Sequence, residues 1–231
     1  MEKFDGIILV DKPIGWSSFD VVAKIRGVLI KEYQEKTGEK RKIKVGHTGT
    51  LDPLATGLMI VVVGSYCKRA QEFSKLDKTY QVQMKLGESS TTGDEEGIKT
   101  KVKSLKIKEE ALNNVLRSFL GESMQTPPIY SAIKIDGKRA YKLARAGKEV
   151  KIEPRQIKIT DIKLDKYDFP LINFSVSVGS GTYIRSLVED IAKKLDTLGY
   201  MTSLNRKVVG EFDIKDAKTI DQISSIELIS K

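Results

Sequence analysis

Gly46-His47-Thr48-Gly49-Thr50-Leu51-Asp52-Pro53-Leu54-Ala55-Thr56-Gly57 runs straight into Leu58-Met59-Ile60-Val61-Val62-Val63, and Gly64 closes the run. The apolar part is short and β-branched, and it ends at a glycine. It therefore reads as a strand buried in a core. The residues before it include the only histidine of the chain, three glycines and an aspartate directly ahead of a proline. A proline pushes the preceding residue out of the helical region, so Asp52 is extended or in a turn, and Pro53 fixes its own φ. The glycines allow turns that side chains forbid, or let another backbone come close. Such a loop suits a carboxylate held in one orientation for chemistry. As residue types alone, it equally suits an Asp-Pro turn with a histidine bonded into its own loop.

The totals narrow the classes. The chain has 231 residues, enough for one cored domain or one domain with an insertion. Hydrophobic residues make up 40% and charged residues 31%, as in a soluble globular protein. The 40 Lys and Arg outnumber the 31 Asp and Glu, for a net charge of +9. That excess favours a polyanionic partner; the alternative is a basic surface kept for solubility. The single cysteine, Cys67, excludes an intrachain disulfide and a multi-cysteine zinc site, and one histidine argues against a transition-metal centre. No apolar run reaches the ~18 residues of a membrane span. The N-terminus lacks a signal-peptide pattern. The expectation is a cytoplasmic protein with no metal and no membrane contact.

Outward from the loop, residues 6–10 predict a short strand. After a turn at 11–18, Ser17 or Ser18 can cap a helix with Phe19, Val22, Ile25, Val28 and Leu29 inward. Trp16 reads as a core anchor. Residues 31–44 read as a polar, lysine-rich linker, either solvated or touching RNA phosphates. Past the buried strand, 65–73 predicts a short helix. Tyr80, Val82, Met84 and Leu86 alternate with Gln81, Gln83 and Lys85, which predicts a half-buried strand. Residues 87–97 form a turn-rich loop. Residues 108–120 predict an amphipathic helix with Ala111, Leu112, Val115, Leu116, Phe119 and Leu120 inward. In 125–147, Lys134, Lys138, Arg139, Lys142 and Arg145 are interleaved with Tyr130 and Tyr141, which suits phosphate contact plus base stacking or, alternatively, a solvated basic face. Two strands follow at 155–166 and 171–178. Thr182 can cap a helix carrying Ile184, Leu187, Val188 and Ile191, with Arg185 and Glu189 on its polar side, and residues 216–230 predict a closing helix.

The string GHTGTLDPLATG resembles the catalytic-aspartate motif of the TruB family of pseudouridine synthases. The likeness runs over residues 6–212 and is weak at 31–44. GIILVDKPIGWSSFDVV is similar to the family's N-terminal motif, whose lysine and proline help shape the active-site loop. TPPIYSAIKIDGKRAYKLAR is similar to its insertion gripping the tRNA T-loop, GSGTYIRSLVEDI to its third motif, and LNRKVVGEF to its LxRxxxGxF. The chain departs from the pattern at Thr91, where the family usually has an aspartate, while Asp94 matches. The fold implied is the α+β pseudouridine synthase fold: a mixed, mostly antiparallel sheet flanked by helices. The expected layout is one catalytic domain, 1–231, with an RNA-binding insertion at about 125–153 and no C-terminal PUA-like domain.

The activity implied is isomerisation of uridine to pseudouridine at position 55 in the tRNA T-loop, an intramolecular transferase reaction. It needs no cofactor and no obligatory protein partner. The resemblance makes Asp52 the essential group, Arg185 its partner, and Tyr80 the residue stacking on the uracil. Tyr183 and Leu204 would wall the pocket, and Lys68 would lie near it. His47 either fills the space of a flipped base or bonds its own loop. Lys134, Arg139 and Arg145 would hold the T-arm. Asp52 could attack the sugar or the base, or remove a sugar proton; each route needs an ionised carboxylate. The other classes are a guide-RNA-dependent synthase of the dyskerin kind, a non-catalytic RNA-binding protein and a metal-dependent nuclease. The nuclease is disfavoured because the central motif has no carboxylate pair.

Overall fold

A computed structural model describes residues 4–131, 133–135, 137–147, 150–223 and 228–229; the side chains of Lys134, Ile135, Tyr141 and Arg145 are outside the described part. In chain order the elements are β1 (Gly6–Lys12), α1 (Ser18–Thr37), β2 (Val45–His47), β3 (Thr56–Val63), α2 (Ala70–Ser74), β4 (Lys78–Leu86), β5 (Glu88–Ser90) and β6 (Lys99–Lys101). Next come α3 (Glu109–Arg117), β7 (Gly121–Gln125), β8 (Lys134–Ile135), β9 (Lys138–Arg139), α4 (Ala140–Arg145), β10 (Arg155–Asp168) and β11 (Leu171–Val178). The last are α5 (Ile184–Lys194), β12 (Gly199–Val209), β13 (Phe212–Asp213) and β14 (Lys218–Thr219). The chain divides into two compact units, one of residues 1–80 and 204–231, the other of 81–203.

In the first unit the strand order is β14-β1-β3-β12, with β2 also on β3 and β13 on β12. β1 and β2 pair antiparallel to β3, whereas β12 and β14 join parallel. The apolar run behaves as its composition predicts: every residue of β3 after Thr56 is buried, because both of its faces are covered. Ile7, Leu9, Leu58, Ile60 and Val62 pack on one side with Phe73, Val209 and Phe212. Each such side chain contributes about 1.5–3 kcal/mol on burial. α1 lies against β2 and buries Val21, Val22, Ile25, Leu29 and Tyr33. Ser17 caps it in a capping box with Asp20.

Several local expectations need correction here. α1 runs through Thr37, so the polar segment 31–37 is helix, and only 38–44 is irregular. Lys31–Glu35 and Glu32–Lys36 pairs one turn apart support those last turns. Phe19 is 67% exposed rather than inward, since the buried stripe starts one residue earlier at Ser18. Trp16 is half-buried, not a core anchor. Residues 214–222 form short 3-10 turns around β14 instead of the start of a closing helix; of the expected helix 216–230, residues 224–227 and 230 lie outside the described residues.

In the second unit the neighbours run β12-β4-β11-β10-β7. β10 pairs antiparallel with both β11 and β7. β4 alternates as predicted, with Val82, Met84 and Leu86 buried. α3 lies on β10 and buries Leu112 and Leu116, whereas Ala111 and Leu120 are exposed: the helix ends at Arg117, so its stripe is narrower than expected. α5 buries Ile184, Leu187, Val188 and Ile191. Its N-cap is Tyr183, without a side-chain cap, and the Thr182 hydroxyl instead donates to the Gly179 carbonyl. Among the described residues no helix is long and apolar enough to cross a membrane.

Candidate active site

In the first unit the Asp52 loop is fastened from several directions, mostly through its backbone. The Ser18 hydroxyl bonds both the amide and the carbonyl of Leu51, at 2.8 and 2.9 Å. The Gly15 amide donates to the Pro53 carbonyl at 2.8 Å. The Ala55 amide closes a turn onto the Asp52 carbonyl. Lys12 is fully buried, and its ammonium donates to the carbonyls of Trp16 (2.6 Å), Pro13 (3.0 Å) and Pro53 (3.4 Å). The N-terminal turn and the carboxylate loop are thereby tied to one cation.

β1 and β12 place two cations on either side of one glycine. Gly57 pairs with Lys12 across β1 and with Arg206 across β12. Arg206 is buried, with Nε donating to the Leu58 carbonyl and Nη2 to the Gly49 carbonyl. Lys78 is buried close by and bonds the carbonyls of Ser74 and Leu76. Burial pulls Lys12 and Lys78 down to about 8, and the charge of Arg206 adds to the lowering; Asp52 partly offsets it at Lys12. Burial, then Arg206, also lowers the pKa of His47, which favours its neutral imidazole; Nδ1 is buried without a hydrogen-bond partner among the described residues. A cleft of ≈ 500 Å³ opens beside Lys12, Trp16, Thr56 and Asn205.

The folded pKa of Lys12, about 8, lies below the unfolded 10.5, so between these pH values the unfolded chain holds more protons and stability rises with pH. The burial cost is fully present below about pH 8 and is relieved above it. The urea midpoint of the parent should therefore gain on that of Lys12→Met from pH 8 to pH 10. A difference that stays flat would show an ordinary lysine.

Of the other residues expected at the site, Leu204 and Tyr80 are buried in the first unit, on β12 and β4. Lys68 stands exposed on the 3-10 turn before α2. Arg185 and Tyr183 belong to the second unit. There the Arg185 guanidinium pairs with Asp94 at 3.3 Å and donates to the carbonyls of Thr92 (3.0 Å) and Tyr130 (2.9 Å). Gln125 holds Tyr183 by both its amide and its carbonyl. Asp94 also accepts from Thr92 and from the Glu96 amide. Removing its charge with Asp94→Asn should cost about 1.5–3 kcal/mol in urea unfolding, since a hydrogen-bonded charge is lost in a buried place. An unchanged midpoint would show that the pair contributes nothing. Arg139 is exposed at the start of α4, while the Lys134 and Arg145 side chains lie outside the described residues.

The family model described as "TruB family pseudouridylate synthase (N terminal domain)" matches residues 35–184. The chain belongs to the TruB family. Curated relatives agree over nearly its whole length. A tRNA pseudouridine synthase B of Psychrobacter arcticus is 40% identical over 227 residues, 98% of this chain and 58% of that protein. The one of Chlorobaculum tepidum is 39% identical over 94% of this chain and 88% of its own. The chain thus spans 58% and 62% of the two Psychrobacter relatives. Among solved structures, the crystal structure of a Cbf5-Nop10-Gar1 complex contains a chain that matches with a TM-score of 0.71 and 27% identity, over 95% of this chain and 53% of that one. The fold is the pseudouridine synthase fold, with a mixed, mostly antiparallel sheet flanked by helices, as the TruB resemblance implied.

The TruB-like motifs point to Asp52 and include Arg206 in LNRKVVGEF without giving that arginine a role, and Ser18 reads from the sequence only as a possible helix cap. A signal for Arg206 was present: it shares the buried alternation of β12 with Leu204, and a cation in an apolar register marks a buried, hydrogen-bonded charge.

Proposed function

We propose that this protein isomerises a uridine of the tRNA T-loop, position 55, to pseudouridine, with Asp52 as the essential group. The observation carrying this reading is the carboxylate loop itself, bound through its backbone by Ser18, Gly15, Lys12 and Arg206. A carboxylate so held can meet the base–sugar junction without reorganising. The relatives bear the name tRNA pseudouridine synthase B over nearly the full chain. The charge of +9 suits an RNA partner.

Tyr80 and Arg185 are assigned to the chemistry with Asp52. By the TruB resemblance Tyr183 and Leu204 are assigned to the base pocket and His47 to the space a flipped base leaves, its neutral imidazole being compatible with that apolar task. Lys68 is assigned a place near the pocket, and Lys134, Arg139 and Arg145 are assigned to the T-arm, from the insertion at about 125–153. The enzyme works in the cytoplasm without a protein partner.

The test is tritium release from tRNA transcript labelled at uridine C5, with a control whose T-loop uridine is cytidine. Release from the first alone supports the proposal. Tight binding without release would point instead to a binding protein or a synthase dependent on a guide, as the likeness to the Cbf5 chain makes worth testing.

A further inference from the structure

The Asp52 loop is closed by the arginine of LNRKVVGEF, to which the motif gives no role. Arg206 is 3% exposed; its Nε donates to the Leu58 carbonyl at 2.7 Å, and its Nη2 to the Gly49 carbonyl at 3.1 Å. Those carbonyls lie on either side of the Asp52 turn. Gly49 faces the guanidinium, and Gly57 faces the backbone of the same arginine. A Cβ on Gly49 would stand 3.3 Å from Nη1, and one on Gly57 would strike the Arg206 backbone.

Burying this cation among Lys12, Lys78 and His47 is costly, and an apolar side chain of similar size would be cheaper there. What an apolar side chain cannot supply is two hydrogen bonds at a fixed mutual angle, which a planar guanidinium does supply. We propose that Arg206 is a positioning residue that sets the geometry of the Asp52 turn by holding the carbonyls of Gly49 and Leu58 to one rigid fork. The proposal rests on Asp52 being the essential group.

Two variants test it from opposite sides. Arg206→Lys keeps the charge but cannot reproduce the fork. Gly49→Ala keeps the arginine but displaces its guanidinium by a few tenths of an ångström. Single-turnover rate, tRNA affinity and melting temperature are measured for both. Misplacement of a reacting group by about 1 Å costs on the order of 100-fold, so Arg206→Lys should lose about that much in rate and Gly49→Ala about tenfold. Both should keep their tRNA affinity, and the double variant should be no worse than Arg206→Lys, because both changes act through one contact.

Wild-type rates in both variants would overturn the proposal. So would rate, affinity and melting temperature falling together, which is the mark of a purely structural residue. If Arg206→Lys does not fold, Gly49→Ala decides alone. Asp52→Asn is assayed alongside: product from it overturns the reading of Asp52, whereas an inactive Asp52→Asn beside fully active Arg206 and Gly49 variants overturns only the role of Arg206.

Discussion

Asp52→Asn is expected to fold, to bind tRNA as the parent does, and to lose pseudouridine formation by on the order of 10⁴-fold. Asparagine has almost the shape of aspartate, so what the change removes is the charge. The contacts that shape the loop mostly use its backbone. Ser18 holds Leu51, Gly15 and Lys12 hold the Pro53 carbonyl, Arg206 holds those of Gly49 and Leu58, and the Asp52 carbonyl takes the Ala55 amide. None of these needs a carboxylate at residue 52. Every chemical route to the proposed isomerisation does, whether the group attacks or takes a proton. One electrostatic consequence is also expected: Asp52 raises the pKa of Lys12, so the variant should lower it further. The checks are tritium release for rate, filter binding for tRNA affinity and urea unfolding for the fold. Product at the parent rate would end the assignment of Asp52.

Gly57→Ala should cost about 3–5 kcal/mol in unfolding free energy and leave little folded protein at elevated temperature. Two effects add. Gly57 has φ +106°, where an L side chain is strained. Its added Cβ would also stand 2.7 Å from the Arg206 amide nitrogen and 2.8 Å from Asn205 Oδ1, and would strike the Arg206 carbonyl. The obstacle is largely the backbone of a paired strand, which cannot move aside without breaking the sheet. Gly38 provides the comparison. It also has positive φ, +76°, at the end of α1, but nothing lies within 4 Å of its missing Cβ. Gly38→Ala should therefore cost only about 1 kcal/mol, the conformational part alone. Equal costs at the two glycines would show that crowding against β12 does not matter.

Asp52 was found from a contiguous string whose residue types already dictate a tight loop, and β3 and β4 were legible because a strand's burial pattern is written in neighbouring residues. The helices were legible in part. Ser17 capped α1 as its side chain suggested, but a lysine-rich segment looked like linker although it continues the helix to Thr37 through ion pairs one turn apart. Helical spacing predicts Phe19 and Leu120 inward, yet both are exposed, since the face a helix buries depends on what it is laid against.

By itself, then, the sequence determined the carboxylate loop, the buried strand behind it, the alternation of β4 and the membership of the TruB family. Tertiary structure alone decided which residues hold that loop. Lys12, Gly57 and Arg206 are far apart in the chain, and only the register of three strands makes them neighbours. Arg185 meets Asp94 and the Thr92 carbonyl in the same way, across most of the second unit. The physical reason is one of range. Backbone propensity and periodicity act between adjacent residues, so they are written locally. Strand register and the burial of a cation are set by the summed packing of segments that the chain brings together only on folding.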